Sequence, residues 1–384
     1  MKETKITRRS FIKGAIGISA ALAVGEVTEQ SEAITIGKNA YNQRNGISEK
    51  KMITFEDSLG RCVELPKTIN NIVPSGKYAE AIIMTLCPEK IASITEPLDT
   101  GEKQLYQKSG YSEIIGLHET GELYAKESKN NTLCVKKIIG VDPDLILDVG
   151  IAKEDLKSNI AYIQEKSEIP MFFLDGSFGK LPNVYRQVGK IIGNEKRAEE
   201  IALFIESLYK SVSYNRSYRN DNINIYFAQN DEGRFFNEGY SFVNEAIKYI
   251  GATPITIEAS GNNLIEIESL SEVKIDYIFF NDFDTYSDIV CGESIDAKKW
   301  WKIPAVLSGR IALAPTLFHN WIGFPLFAQT IGMIWMAHVI WPENLATDLM
   351  KTVDDFYSVL YRYDVGKKGL KTMLLYGNIQ KQNG

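Results

Sequence analysis

Cysteine and histidine are scarce. The 384 residues contain four cysteines and three histidines. Cys62, Cys87, Cys134 and Cys291 are far apart, as are His118, His319 and His338. None falls at the spacing of a metal site or a redox pair, which argues against zinc fingers, CxxC chemistry and clustered iron–sulfur ligation. An even cysteine count leaves one or two disulfides open without choosing among pairings. No HExxH, GxSxG, P-loop or GxGxxG occurs, so the commonest motif routes to an enzyme and to a nucleotide cofactor are absent. Positive charge is also short: 43 Lys and Arg face 49 Asp and Glu, for a net charge of −6. The basic residues are dispersed among acids, so nothing forms the basic surface that nucleic acid requires.

What is present begins at the N-terminus. Residues 6–14, ITRRSFIKG, set Arg8 and Arg9 side by side ahead of Phe11 and Lys13, and the uncharged run AIGISAALAVG follows from Ala15 to Gly25. A basic segment before an apolar run of about ten residues reads as an export signal of the twin-arginine type, too short for the roughly twenty residues of a membrane span. Ser31 and Ala33 offer cleavage before Ile34, Ala21 and Ala23 offer another point, and an uncut anchor is the third outcome. The first cysteine is Cys62, so no lipid acceptor follows the apolar run. The expectation is a signal over residues 1–33, carriage of the folded chain by the twin-arginine translocase, and a working part outside the cytoplasm. About 350 residues then remain, more than one core usually supports, which makes two lobes the natural organisation.

The rest alternates strand and helix signals. Residues 34–51 are polar and aperiodic, as in a linker. MITFEDSLGRCVEL over 52–65 alternates about a Ser-Leu-Gly turn and reads as a hairpin closed by Pro66. Short apolar runs at 71–75, 91–94, 143–148, 170–174, 223–228 and 275–280 read as buried strands, with helical spacing at 78–86, up to Gly140, and at 242–249. Between about Val184 and Val212, Val188, Ile191, Ile192, Ala198, Ile201, Ala202, Ile205 and Leu208 recur at helical steps, with a break signal at Gly193-Asn194. The fold class is α/β: two Rossmann-like lobes, 52–178 and 222–366, joined by a single long α-helix over 179–215, with a ligand cleft between the lobes and a tail over 367–384. Residues 322–342 lack Asp, Glu, Lys and Arg. Pro325, Gln329, Thr330 and His338 interrupt that stretch and no basic cluster flanks it, so a buried helix is expected rather than a membrane span.

Several phrases in a fixed order carry a resemblance: ITFEDSLGRCVELP, NNIVPSG, GVDPDLILDVG, the linking helix, GYSFVNEAIKYIGA and WWKIPAVLSGRIALAP. Across nearly the whole exported part, the chain resembles the periplasmic binding proteins that serve ABC importers of ferric siderophores, haem and cobalamin. The resemblance implies a non-enzymatic monomer that needs no cofactor and opens and closes only slightly. It implies a small-molecule metal chelate as ligand, with an ABC permease and ATPase as partners. A ferric siderophore or related iron chelate ranks first, a corrinoid second and haem third.

Strand-end loops are where such sheets bind ligands. The candidate ligand-binding residues are Lys77, Tyr78, Arg234, Phe236, Asp282, Phe318, His319 and Trp321. The aromatics suit a large, partly flat ligand, Arg234 suits its carboxylates, and His319 and Tyr78 are the side chains able to reach a chelated metal. The bland reading for any one aromatic is core packing. The resemblance also implies that one exposed glutamate on each lobe, Glu80 and Glu245, docks on permease arginines; the alternative is that both merely solvate a helix face. Two other functions remain open, an exported cofactor enzyme and a surface sensory module without a permease.

Overall fold

The computed structural model describes residues 51–123, 128–152, 155–216, 222–229, 231–234, 241–257, 264–292, 295–323, 327–342, 348–366 and 369. The chain divides into Met1–Lys51 and Met52–Gly384. The signal with Arg8 and Arg9, the linker up to residue 50 and nearly all of the 367–384 tail lie outside the described residues.

The alternating 52–65 segment forms its hairpin: β1 (Met52–Glu56) pairs antiparallel with β2 (Cys62–Pro66). Asp57 holds the turn, its carboxylate accepting from the N–H groups of Leu59 and Arg61 and from the Arg61 guanidinium. The guanidinium also donates to the Met171 carbonyl and to Gln164. Asp57 is 5% exposed and 2.6 Å from Arg61, a pair whose extra hydrogen bonds offset its desolvation. The hairpin is thereby fixed to the edge of the first sheet.

That sheet is parallel. It contains β3 (Ile72–Pro74), β4 (Leu145–Gly150) and β5 (Met171–Asp175), in that order. The strands are apolar almost throughout, as strands covered on both faces must be. The helices of this lobe are α1 (Lys77–Leu86), α2 (Thr100–Lys108), α3 (Ser128–Val141) and α4 (Leu156–Ser167). The strand expected at 91–94 contributes only the bridges Ile72 to Ile91 and Ile94 to Glu119.

The connection to the second sheet corrects the single linking helix. It is two helices, α5 (Leu181–Ile192) and α6 (Glu195–Arg216). Gly193 adopts a left-handed φ of 71° that stops α5, a conformation that costs glycine little. The chain then folds back: Arg186 on α5 pairs with Glu199 and Glu206 on α6, each at 2.6 Å. The two helices touch at Gly189, where an added Cβ would lie 2.3 Å from the Ala198 methyl. Only α6, at 22 residues, is a long helix, spanning about 33 Å at 1.5 Å per residue.

The second sheet is also parallel. β6 (Asn224–Ala228), β7 (Thr253–Pro254), β8 (Tyr277–Phe280) and β9 (Ile311–Leu313) stand in the order β7, β6, β8, β9. Around it lie α7 (Ser241–Tyr249), α8 (Ile267–Ser271), α9 (Phe283–Cys291), α10 (Ile295–Trp300) and α11 (Pro304–Leu307). A small hairpin of β10 (Thr316–Leu317) and β11 (His319–Asn320) precedes α12 (Ala328–Ile340) and α13 (Leu349–Tyr361). The apolar 322–342 stretch is thus largely the buried helix α12, and no helix among the described residues is long and apolar enough to cross a membrane.

One core cluster runs from Val63 through Ile72, Phe172, Val188 and Ile205 to Phe227, Phe242, Trp335 and Tyr357, so both lobes share it. At their joint Phe178 meets Tyr209 at 5.3 Å, Tyr209 meets Tyr249 at 4.8 Å, and Tyr78 meets Phe242 at 5.1 Å between ring centroids. All four cysteines are free thiols in this fold.

Candidate functional site

The parallel strands of both lobes end in loops from which most of the candidate residues come. On the first lobe, α1 starts directly after β3 with Gly76 and Lys77. The Lys77 N–H points to Glu122 Oε1 at 3.3 Å and its Nζ bonds Glu80 Oε1 at 3.3 Å. Burial works against the Lys77 ammonium, but Glu80, Glu102 and Glu96 together hold it above its ordinary range.

Glu80 is not on the surface. It is 3% exposed, and its second oxygen accepts both the N–H and the hydroxyl of Thr95 at 2.6 Å. This corrects the docking expectation: the carboxylate turns inward to join α1 to the 91–95 segment, on a helix buried over most of its circumference. Glu245 is half-buried and accepts the Phe178 N–H at 3.3 Å, a bond between α7 and the loop after β5. Glu80 does not stand free for an arginine of a partner, whereas Glu245 uses only one oxygen in that bond.

On the second lobe the 316–321 hairpin delivers its residues unequally. Trp321 is fully buried, and its indole N–H donates to the Tyr357 hydroxyl at 2.9 Å. It is a core residue, which corrects its placement at the cleft. Tyr357 in turn donates to the Leu317 carbonyl at 2.8 Å. Phe318 takes a left-handed φ of 66°, a real cost for an aromatic residue, and its ring packs on Tyr357 at 5.9 Å and Tyr363 at 5.2 Å. That kink is what separates Trp321, turned into the core, from His319, turned toward the other lobe.

His319 completes a cavity of about 20 Å³ with Lys77, Glu80, Ala81, Met84, Glu102, Tyr106, Phe327 and Tyr361, room for about one water molecule. Its ring lies 5.9 Å from that of Tyr361 and 6.3 Å from that of Phe327. Burial pushes the imidazole down to about 4, so it is neutral at physiological pH. Burial likewise pushes the Glu102 carboxyl up and the Tyr106 and Tyr361 phenols well up. The cavity joins two lobes: α1 and α2 supply one wall, the 316–321 hairpin and α13 the other.

The remaining candidates are placed elsewhere. Arg234 donates to the Ile265 carbonyl at 2.8 Å and to Glu232 at 2.9 Å, with Glu266 at 3.8 Å. Its donors bind loops of its own lobe. Asp282 caps α9, accepting the Thr285 N–H at 2.7 Å. Tyr78 packs on Phe242 at the joint, and Phe236 lies outside the described residues. Of the sequence candidates, Lys77 and His319 meet in one cavity, joined by Glu80 from the docking pair. Sequence reasoning missed Glu102, Tyr106 and Tyr361. The only local signal was Asp99-x-x-Glu102, a capping box that the structure forms and that explains one oxygen of Glu102 but not the other. Among the described residues no group of three or more His, Cys, Asp or Glu is placed to hold a metal ion.

The sequence pattern of the periplasmic binding proteins matches residues 123–316. The chain belongs to the periplasmic binding protein family. Solved structures share its fold at low identity. An ABC transporter solute binding protein from Sulfurospirillum deleyianum is 19% identical, with a TM-score of 0.71 over 83% of this chain and 98% of that one. The molybdate-bound periplasmic protein MolA of Haemophilus influenzae is 17% identical, with a TM-score of 0.63 over 81% and 98%. The catecholate-siderophore binding protein VctP of Vibrio cholerae is 17% identical, with a TM-score of 0.51 over 76% and 100%. No curated protein matches by sequence.

Proposed function

We propose that this periplasmic binding protein is the extracytoplasmic solute-binding component of an ABC importer. It captures a metal chelate between its lobes, an iron chelate such as a ferric siderophore first, and hands it to a membrane permease driven by an ATPase. The observation that carries the reading is the meeting of Lys77 from one lobe with His319 from the other at the ends of two parallel sheets, the place where such sheets bind ligands. Proteins of the same fold bind a catecholate siderophore and molybdate, which supports a metal-containing solute. Corrinoid and haem are the other solutes the scaffold suits. Arg8 and Arg9 supply the address for export by the twin-arginine translocase.

The test is a thermal-shift panel on the whole chain with ferric hydroxamate and catecholate chelates, cobalamin and haem. A ligand that binds only the folded state adds about 2.7 kcal/mol at a hundredfold excess over its Kd, so one class raises Tm clearly and the others do not. If none raises the Tm of the folded protein, the chelate reading fails.

A further inference from the structure

The cavity between the lobes is lined by one buried polar group with nothing to bond and by two half-buried ones with acceptor capacity to spare. Tyr361 is 4% exposed and its buried hydroxyl has no hydrogen-bond partner. Glu102 spends one carboxylate oxygen on the Asp99 N–H at 2.9 Å, and its other oxygen has no hydrogen-bond partner among the described residues. The His319 ring has the aromatic neighbours Phe327 and Tyr361 but no hydrogen bond among the described residues. A buried hydroxyl without a partner is unfavourable, and an incoming donor relieves it. The buried Tyr361 hydroxyl, with the half-buried Glu102 and His319 acceptors at the mouth of the same small cavity, forms a site prepared for an occupant.

Charge selects the occupant. Glu80 and Glu102 face a single ammonium, Lys77, and that ammonium is already on Glu80 at 3.3 Å. The other Glu80 oxygen is taken by Thr95, so the uncompensated negative charge falls to Glu102. An anion is repelled there, and a bare metal ion lacks a ligand set among the described residues. The rim residues Lys77, Glu102 and His319 are half-buried while the floor of Tyr106, Tyr361 and Phe327 is buried. A group therefore enters from the strand ends and stops at the floor. The geometry points to a subsite for a primary ammonium, the positively charged tip of the captured solute, seated on the Glu102 carboxylate, the His319 ring and the Tyr361 hydroxyl. An ammonium has three donors, one for each unpaired acceptor, and is close to a water molecule in size. Burial keeps the imidazole neutral above about pH 4, so a ring nitrogen is free to accept.

This inference rests on the chelate reading and is tested so that the two fail separately. The whole chain is titrated calorimetrically with a linear ferric tris-hydroxamate ending in a free primary amine, and with the same chelate N-acetylated. A charge-assisted hydrogen bond is worth about 1.5–3 kcal/mol, so the amine form is expected to bind roughly tenfold or more tightly. Glu102→Gln keeps an acceptor for Asp99 and should abolish that preference, and Tyr361→Phe should reduce it. If the acetylated chelate binds wild type equally well, or Glu102→Gln keeps the preference, the subsite is overturned while the chelate reading stands. If neither form binds the folded protein, the subsite is overturned, and the chelate reading falls with it only if the whole thermal-shift panel also fails to bind.

Discussion

Glu80 accepts three hydrogen bonds at 3% exposure, and removing it strands the Thr95 N–H and the Lys77 ammonium together. Glu80→Ala is expected to cost about 3 kcal/mol in urea unfolding, as for a broken buried pair, whereas a surface docking carboxylate would cost close to nothing. His319 gives a pH signature. Its folded imidazole titrates at about 4 against an ordinary 6.5. Between those values the unfolded chain binds the proton and the folded chain does not, so the stability tied to neutral His319 is complete above 6.5 and is lost as pH falls toward 4. Calorimetric Tm should therefore fall more steeply over that window for wild type than for His319→Gln; parallel curves would remove the effect. At this scale Lys77 and His319 were legible because they follow closely on the ends of parallel strands, Lys77 after β3 and His319 after β9. Glu102, Tyr106 and Tyr361 were not, because each reads as an ordinary cap or helix residue until folding brings α2 and α13 together. Trp321 was misplaced because no pattern in the 316–321 stretch announces the left-handed backbone at Phe318.

Elements were the most legible level, for a physical reason. Parallel strands covered on both faces read as unbroken apolar runs such as LIL before Asp148, MFFL and YIFF. Equally, α12 was readable as a core helix because its apolar stretch carries polar interruptions and no charged flank. What the periodicity could not show was that α5 turns back on α6, since a helix repeat is the same on either side of Gly193. The hairpin makes its own prediction. Gly189→Ala drives a methyl into that of Ala198 and should lower stability by about 1–3 kcal/mol. Adding Ala198→Gly should restore much of the loss, a coupling that a double-mutant cycle reads directly. Additive effects would mean that the two helices are not in contact there.

For the whole molecule, the shared core and the aromatic joint of Phe178, Tyr209 and Tyr249 leave little room for wide hinge opening, since lobes move freely only across small or polar interfaces. Small-angle scattering with and without a bound chelate should show a radius of gyration changed by no more than a few ångströms. A larger change would require the joint to come apart. The central claim is that the solute lies between the lobes, touching both. Hydrogen exchange on the whole chain, with and without saturating ferric tris-hydroxamate, tests it most directly. Slowed exchange is expected in residues 75–78 and 317–320 together, because each segment belongs to a different lobe at the same cavity. Protection in one segment alone, or in neither, would contradict capture between the lobes.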